Sequence, residues 1–376
     1  MINPSIIAAR ADEQIALALR ELYGRYGYTH YRMSKFEEYE LYVQNKDFIG
    51  SGGIISFTDT DGKLMALKPD VTLSIIKNLR RSKGVQKVYY NENVYRVSKG
   101  SGVYREILQT GLECIGEIGR YEICEVLFLA LKSLETVGRP FRLDLSHMEL
   151  LTGLIASASI PEDSMAELVT CIKRKNADGI RELFASCGAD PAKGETLAAV
   201  AGLYGSPAKV IPALRALLPQ ETLPYVEELN EICTVLQTMG YGDAVGIDLS
   251  AVNDMSYYNG IVCRGYLDGI PDGVLSGGCY DRMMKKMGRD CGAIGFAVSL
   301  DRLDLLHTTS RAVDCDLLLL YGENVAPITV LNTVNKLTAE GQSVLTAKKC
   351  PEGIRAGRIA YLAEDGTMTE GEGFSC

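Results

Sequence analysis

The sequence of 376 residues predicts an α+β fold, and three features of its patterning lead to that prediction. Residues 66–117 are rich in β-branched and aromatic side chains at the spacing typical of strands. Residues 155–240 are rich in Ala and Leu and contain stretches compatible with helices. The chain then returns to strand-like patterning in residues 244–267. A helical segment therefore interrupts a region of strands.

The first predicted element is an amphipathic helix over residues 11–27. Its apolar residues, among them Ile15, Leu19 and Leu22, recur at helical spacing, and Gly24 and Gly27 end the pattern. The next run, THYRMSKFEEYELYV, alternates in the manner of a strand that is followed by a turn or a helix.

A hairpin follows in SGGIISFTDTDGKLMALK, because two apolar runs flank the turn dipeptide Asp61-Gly62. After this hairpin, VTLSIIKNLRRS predicts a short helix. The run QKVYYNENVYRV, residues 86–97, predicts a strand that carries Arg96.

Polar side chains interrupt the strand-like region, and their spacing predicts a pocket. They are Asp70, Thr72, Arg96, Gln109 and Glu113. Gln109, Gly111 and Glu113 are two residues apart, so on a strand they share one face, and Gly111 leaves a gap there. An ammonium group and an NH-bearing ring could be held in that gap by the carboxylates of Asp70 and Glu113 and by the Gln109 amide. Periodicity alone leaves open a strand whose polar residues face water.

Two further regions are predicted from local signals. Residues 120–137 form a helix, FRLDLSH forms a strand, and Ser146 with Glu149 forms a capping box that opens the helix MELLTGLIASA. His147 lies in the first turn of that helix, and we assign it no chemistry. Further on, Gly277 and Gly278 allow close backbone approach to a ligand, and GAIGFAVSLDRL predicts a strand that leads into a helix.

Composition narrows the functional class. The net charge is −9 and the isoelectric point is about 5.1, which argues against a nucleic-acid surface. The sequence has no apolar run of eighteen residues, and its first residues lack the layout of a signal peptide, so we expect a cytoplasmic protein. Eleven cysteines without a CxxC pair indicate free thiols, with neither a disulfide framework nor a zinc site.

A set of motifs over residues 1–310 resembles the histidyl-tRNA synthetases, which are class II aminoacyl-tRNA synthetases. In order, these motifs are LKPDVT, YR, GVYREILQTGLE, YYNGIV, SGGCYD and GAIGFAVSLDRL. The resemblance implies an antiparallel sheet flanked by helices in residues 1–312, with a helical insertion at about 155–240. Residues 313–376 resemble a truncated anticodon-binding α/β domain with a β-α-β pattern. Among these proteins, the chain most resembles the family of regulatory subunits of ATP phosphoribosyltransferase.

The same resemblance implies a pocket for histidine. Its residues would be Asp70, Thr72, Arg96, Gln109, Glu113, Tyr257, Tyr258 and Tyr280. Arg96 and Arg302 match the ATP-binding arginines of the synthetases and would be the remnant of a nucleotide site.

The sequence departs from the synthetases where catalysis is carried out. Their motif RGLDYY is replaced by NDMSYY, so Asn253 stands in place of the catalytic arginine and Ser256 in place of the aspartate. Ser98 replaces an acidic residue, and Ser34 replaces a proline in the dimer-forming motif. From Asp314 onward there are nine acidic and five basic side chains, so tRNA binding is not expected. We therefore expect no catalytic residues, no metal and no cofactor.

Two functions remain open at this stage. The first is a non-catalytic regulatory subunit of ATP phosphoribosyltransferase, needed for the first step of histidine biosynthesis and for its feedback control by histidine. The resemblance implies a hetero-octamer with a short catalytic subunit, a homodimer of synthetase-like domains, and no contact with tRNA or membranes. The second is a divergent histidyl-tRNA synthetase or another adenylate-forming ligase, which the retained Arg96 and Arg302 favour.

Overall fold

The computed structural model describes residues 11–48, 53–79, 84–97, 102–250, 257–306 and 313–371. The chain divides after Leu306 into two compact units. The domain boundary predicted between residues 312 and 313 adjoins a stretch that lies outside the described residues. Within the described ranges, no helix is long and apolar enough to cross a membrane.

The first unit contains eleven α-helices and twelve strands among its described residues. In chain order they are α1 (Ala11–Arg25), β1 (Thr29–His30), β2 (Phe36–Glu38), α2 (Tyr39–Gln44), β3 (Ser56–Thr58), β4 (Leu64–Leu67), α3 (Val71–Asn78), β5 (Gln86–Val97), β6 (Tyr104–Gly116), α4 (Arg120–Thr136), β7 (Phe141–His147), α5 (Met148–Ser157), α6 (Glu162–Lys173), α7 (Ala177–Ser186), α8 (Pro191–Gly202), β8 (Tyr204–Gly205), α9 (Pro207–Leu217), α10 (Leu223–Leu236), β9 (Val245–Asp248), β10 (Asn259–Leu267), β11 (Leu275–Cys279), α11 (Asp281–Lys286) and β12 (Gly292–Ser299).

Nine of these strands form one sheet in the order β1-β5-β6-β12-β11-β10-β7-β9-β8. Neighbouring strands are antiparallel, except for the parallel pairs β1 with β5 and β7 with β9. The predicted antiparallel sheet flanked by helices is therefore confirmed. The strand predicted over residues 86–97 has the bounds of β5.

The two faces of this sheet differ in polarity because side chains alternate along each strand. One face carries Leu112, Leu145 and Ile294, which are fully buried in the same core as Leu127 and Leu131 of α4. Residues one position away in the sequence, such as Glu113, point to the opposite face. That opposite face holds the polar side chains.

The predicted hairpin, β3 with β4, belongs to a smaller sheet of three strands in the order β2-β4-β3. Gly62 takes a φ of 82° in its turn, and the Asp59 carboxylate accepts hydrogen bonds from the backbone of Asp61 (2.9 Å) and Lys63 (2.8 Å). The chain leaves β4 and enters α3 through Lys68, Pro69 and Asp70. The hairpin thus delivers Asp70 to the start of a helix, as its sequence predicts.

Helices α6 to α10 lie within the helical segment predicted at about residues 155–240. Their buried apolar residues, among them Leu168, Ile180 and Leu229, belong to the same core as the apolar face of the sheet. The segment ends in an irregular turn, Gln237–Tyr241, where Gly240 takes a φ of 93°. It also includes β8, a two-residue strand at the edge of the sheet that the sequence did not predict.

The predicted capping box at Ser146 is wrong. Ser146 belongs to β7 and pairs with Val262 of β10, while His147 pairs with Ile261 and is the N-cap of α5. His147 is thus the last residue of a strand and not part of a helical turn. Pairing with β10 extends the strand past the local capping signal, so tertiary hydrogen bonding decides where this helix begins.

The second unit is a four-stranded sheet with one helix among its described residues. Its elements are β13 (Cys315–Tyr321), α12 (Pro327–Ala339), β14 (Val344–Ala347), β15 (Ala356–Leu362) and β16 (Met368–Glu370). The strand order is β14-β13-β15-β16, and β13 runs parallel to both of its neighbours. The predicted β-α-β pattern is therefore present in β13, α12 and β14.

Two expectations for the second unit need correction. The run EDGTMTEGEGFSC has almost no apolar side chains and so predicts a frayed end, yet Met368–Glu370 within it pairs with β15 in antiparallel register. The cysteines were all expected to be free thiols, yet Cys350 is disulfide-bonded. Nine others are free.

Candidate binding site

A cavity of about 270 Å³ opens on the polar face of the large sheet. All nine residues that the sequence assigned to a histidine pocket and a nucleotide remnant line this one cavity: Asp70, Thr72, Arg96, Gln109, Glu113, Tyr257, Tyr258, Tyr280 and Arg302. They come from β5, β6, α3, the start of β10, the end of β11 and the turn after β12. The fold therefore brings together residues that lie up to 232 positions apart, from Asp70 to Arg302.

Glu113 lies at the closed end of the cavity and is 2% exposed. The Thr72 hydroxyl donates a hydrogen bond of 2.7 Å to its Oε1 atom, and the Tyr280 hydroxyl donates one of 2.6 Å to its Oε2 atom. Burial raises the pKa of the Glu113 carboxyl to about 8, although both hydrogen bonds act in the other direction. In the absence of a ligand, the Glu113 side chain is therefore mostly protonated at neutral pH.

Asp70 lines the cavity and also caps a helix. It is the N-cap of α3, and its Oδ1 atom accepts a hydrogen bond of 2.9 Å from the backbone N–H of Leu73. Burial raises the pKa of its carboxyl, while Leu73 and the charge of Arg96 lower it. The sequence pattern predicts a ligand contact at Asp70 but not this cap.

The loop before Asp70 is held at two points. The Arg96 Nε atom donates a hydrogen bond of 3.0 Å to the carbonyl of Pro69. The side chain of Lys68, which is fully buried, forms an ion pair of 3.0 Å with Glu92 of β5. Because β5 also carries Arg96, one strand fixes the position of the Asp70 loop.

Aromatic rings form one wall of the cavity. The ring centroids of Tyr257 and Tyr258 are 4.5 Å apart, those of Tyr257 and Tyr280 are 6.2 Å apart, and Phe48 lies 6.1 Å from Tyr257. Burial raises the pKa values of Tyr257 and Tyr280 well above the ordinary value, so their hydroxyl groups stay neutral donors and acceptors. This wall can stack on a flat ring and hydrogen-bond its nitrogen atoms.

Glycines form the floor beneath Glu113. A Cβ atom at Gly295 would collide with the Glu113 carboxylate, and one at Gly278, where φ is 157°, would lie 3.0 Å from the Tyr258 ring. At Gly111, a Cβ atom would lie 2.6 Å from the Tyr90 hydroxyl. The gap predicted above Gly111 is therefore occupied by Tyr90.

Several lining residues were missed in the sequence. They include Phe48, Tyr90, Arg264 and Ser276. A usable signal existed for Tyr90, because it shares with Arg96 the even-numbered positions of β5 that face the cavity. For Arg264 and Ser276, only the pairing of distant strands reveals the position.

The catalytic departures noted in the sequence, Asn253, Ser256 and Ser98, lie outside the described residues. Among the residues that the structure does describe, no group of three or more His, Cys, Asp or Glu side chains could hold a metal ion. The described side chains that line the cavity can form hydrogen bonds, ion pairs and aromatic contacts.

Comparison with known proteins identifies the family. The family model described as histidyl-tRNA synthetase matches residues 6–303. The chain belongs to the histidyl-tRNA synthetase family. Within that family it is 27% identical, over 293 residues, to the ATP phosphoribosyltransferase regulatory subunit of Alkaliphilus metalliredigens. The aligned region covers 76% of this chain and 74% of that protein. Seven further relatives of 24–30% identity carry the same name.

Solved structures of the family share the fold. One described as an ATP phosphoribosyltransferase regulatory subunit/histidyl-tRNA synthetase from Bacillus halodurans is 25% identical, with a TM-score of 0.73 and coverage of 89% of this chain and 88% of that chain. A chain of an ATP phosphoribosyl transferase complex from Thermotoga maritima is 20% identical, with a TM-score of 0.61 and coverage of 77% and 97% respectively. The second match bears on fold alone.

Proposed function

We propose that this chain is a non-catalytic regulatory subunit of ATP phosphoribosyltransferase, which binds histidine and provides feedback control of the first step of histidine biosynthesis. The observation that carries the proposal is the combination of a cavity lined by all the predicted binding residues with Asn253 at the position of the catalytic arginine. The shared name of the relatives supports the pathway.

The cavity suits histidine by its chemistry. Buried carboxyl groups at Asp70 and Glu113 can hold the ammonium and imidazole N–H groups, and Gln109 adds an amide. The tyrosine wall can stack on the imidazole ring. Cavities with a few convergent polar groups among apolar ones are the usual form of small-molecule sites.

Loss of the arginine accounts for the lack of catalysis in this proposal. Removing one positioned charge from a transition state typically costs about 2.7–4 kcal/mol, which is two to three orders of magnitude in rate. Asp254 adds negative charge next to that position in the sequence. Amino-acid activation is then lost while histidine binding remains.

The partner in this proposal is a short catalytic subunit, in a cytoplasmic hetero-oligomer of eight chains. Allosteric control requires that histidine bind one arrangement of the complex better than another, because equal affinity for both shifts nothing. The excess of acidic residues from Asp314 onward supports the absence of tRNA binding.

A homodimer of synthetase-like units belongs to the same proposal. Phe36 and Leu64 of the three-stranded sheet are each 49% exposed, and Phe57 is 37% exposed. The Phe36 and Phe57 rings pack edge to face with their centroids 5.4 Å apart, so they form one apolar patch. The hydroxyl of Ser34, which replaces the motif proline, accepts a hydrogen bond of 3.1 Å from the backbone N–H of Phe36 next to this patch.

The decisive experiment mixes the purified chain with a short-form catalytic subunit and measures the initial rate of phosphoribosyl transfer with and without histidine. The proposal expects the chain to change the rate and histidine to modulate it. Glu113→Gln should remove the effect of histidine, whereas Glu106→Gln, at the exposed end of the same strand, should not. No rate change in any mixture would rule out the regulatory role.

A divergent synthetase is the second candidate, because Arg96 and Arg302 both line the cavity. It predicts histidine-dependent pyrophosphate exchange by the chain alone. Exchange at ordinary enzymatic turnover would favour this candidate over the first.

A further inference from the structure

A second cavity, of about 670 Å³, lies between α5, α8 and the turn that joins α9 to α10. Its described lining residues are all different from those of the first cavity. Leu154, Leu197 and Leu218 are buried and form an apolar floor, whereas Leu217 is 40% exposed and marks the entrance. A cavity of this size with an apolar floor and a few polar groups is typical of a small-molecule site.

One edge of α5 runs along this cavity. Glu149, Gly153 and Ser157 are four residues apart, so they follow one face of the helix, and all three line the cavity. At a rise of about 1.5 Å per residue, the positions of Glu149 and Ser157 are ~12 Å apart. A Cβ atom at Gly153 would meet nothing within 4 Å. The edge therefore has a polar residue at each end and open space in the middle.

The end of the cavity at the start of α5 is acidic. Glu149 lies in the first turn of α5, and Glu221 lines the same cavity from the turn before α10. The Tyr225 ring, one helical turn after Glu221, packs against His147, the N-cap of α5, with their centroids 4.9 Å apart. This contact brings the start of α10 to the same end of the cavity as Glu149. Within the described ranges, neither the Glu149 nor the Glu221 carboxylate forms an ion pair.

The end of the cavity at the last residue of α5 is basic. Lys193 of α8 lines the cavity, and its Nζ atom donates a hydrogen bond of 2.5 Å to the backbone carbonyl of Ser157. An ammonium group has three N–H donors, so two of them remain for a ligand. The cavity thus has carboxylates at one end, an ammonium group at the other and an apolar floor between them.

We propose that this cavity binds a short apolar peptide with free termini, three or four residues long. The peptide ammonium group meets Glu149 and Glu221, its carboxylate meets Lys193, and its side chains lie on the leucine floor. An extended chain advances about 3.3 Å per residue, so three or four residues span ~10–13 Å, which matches the edge of α5. Opposite charges at the two ends favour a free peptide over an internal segment of a protein, which has no terminal charges. The proposal does not depend on the proposed function, because it uses no residue of the first cavity.

Isothermal titration calorimetry on the full-length chain tests the proposal with trileucine, its N-acetylated form, its C-terminal amide and a form blocked at both ends. Wild type should bind trileucine most tightly, because each modified probe loses a charged contact. Glu149→Gln should weaken trileucine binding about threefold to tenfold, since the carboxylate is partly exposed, and should leave the N-acetylated form nearly unchanged. Lys193→Met should weaken trileucine binding by a similar factor and affect the amide much less. Leu217→Ser should weaken the binding of all four probes.

Glu182→Gln of α7 and Lys173→Met of α6 are the matched controls, since both residues are exposed and neither lines the cavity. Glu113→Gln should leave trileucine binding unchanged, which separates this cavity from the first. Thermal unfolding of each variant checks that the helical segment is intact, and Glu221→Gln gives a second test of the acidic end.

Two results would overturn the proposal directly. They are a wild-type chain that does not bind trileucine at millimolar concentration, and equal trileucine affinities for wild type, Glu149→Gln, Glu221→Gln and Lys193→Met. Tighter binding of the doubly blocked probe than of trileucine would also overturn it, and would indicate that the cavity receives an internal segment of a partner protein.

Discussion

The Tyr280 hydroxyl donates a hydrogen bond of 2.6 Å to Oε2 of Glu113, across 167 positions of sequence. This contact joins the end of β11 to β6 and fixes the carboxyl group at the closed end of the cavity. Thr72 holds the other oxygen from α3. Hydrogen bonds to both oxygen atoms fix the position of this buried carboxyl group before a cation binds to it.

Glu113→Gln should weaken histidine binding by roughly tenfold to a hundredfold, because hydrogen bonds to charged groups contribute about 1.5–3 kcal/mol. The amide keeps the shape of the side chain and loses its negative charge. Isothermal titration calorimetry measures the change, with Glu106→Gln as the control. Equal affinities for wild type and Glu113→Gln would exclude a direct contact between histidine and Glu113.

Histidine binding at neutral pH should release close to one proton from Glu113, because its pKa is about 8 in the empty cavity and a bound cation favours the ionised form. Titrations at pH 7 in buffers of different ionisation enthalpy give the number of protons released. Glu113→Gln should reduce that number by nearly one. A wild-type value indistinguishable from that of the variant would contradict this coupling.

The stability of the unliganded chain should depend on the same group. The pKa of Glu113 is raised from 4.5 in the unfolded chain to about 8, so between these values the folded chain keeps a proton that the unfolded chain has lost. The free energy of unfolding should therefore fall as pH rises through this window. Urea unfolding of wild type and Glu113→Gln at several pH values isolates the contribution, and a pH-independent difference would refute it.

Lys68→Met should lower the free energy of unfolding by about 3 kcal/mol, because it leaves Glu92 without its partner in a largely buried ion pair. Lys68 also precedes Asp70, so histidine affinity should fall as the loop loses its anchor. Denaturant unfolding and calorimetry measure the two effects. The double variant Lys68→Met/Glu92→Gln should recover part of the lost stability, and no recovery would mean that the ion pair is not the cause.

Asn253→Arg should not by itself produce rapid aminoacylation. The arginine would restore one charge, but Ser256 and Ser98 also depart from the synthetase pattern. A charging assay with histidine-specific tRNA provides the measurement, with the unaltered chain as the baseline. Robust turnover by the variant would mean that the other departures matter little.

Much of the site could be predicted from the sequence because its signals are local or ordered along the chain. The Asp61-Gly62 turn predicts the hairpin that delivers Asp70, and the period of two in QTGLE places Gln109 and Glu113 on one face. Both features are confirmed. Patterns of this kind depend on backbone geometry that a few neighbouring residues determine.

Features that depend on distant contacts could not be predicted in this way. Strand pairing with β10 moves the start of α5 past Ser146, and pairing with β15 orders the polar residues around Met368. Tyr90 occupies the space above Gly111 because two adjacent strands bring them together. Arg264 faces the cavity only because four strands align in register.

Gly295 lies directly beneath the Glu113 carboxylate, where even a methyl group would collide with it. An alanine at this position would displace the Glu113 carboxylate and would also press on the backbone carbonyl of Leu112, 2.5 Å from the added Cβ atom, so the cavity and the pairing of β6 with β12 would both have to shift. On the proposed function, cells that carry Gly295→Ala should lose feedback control by histidine, and a selection for histidine overproducers should yield this substitution.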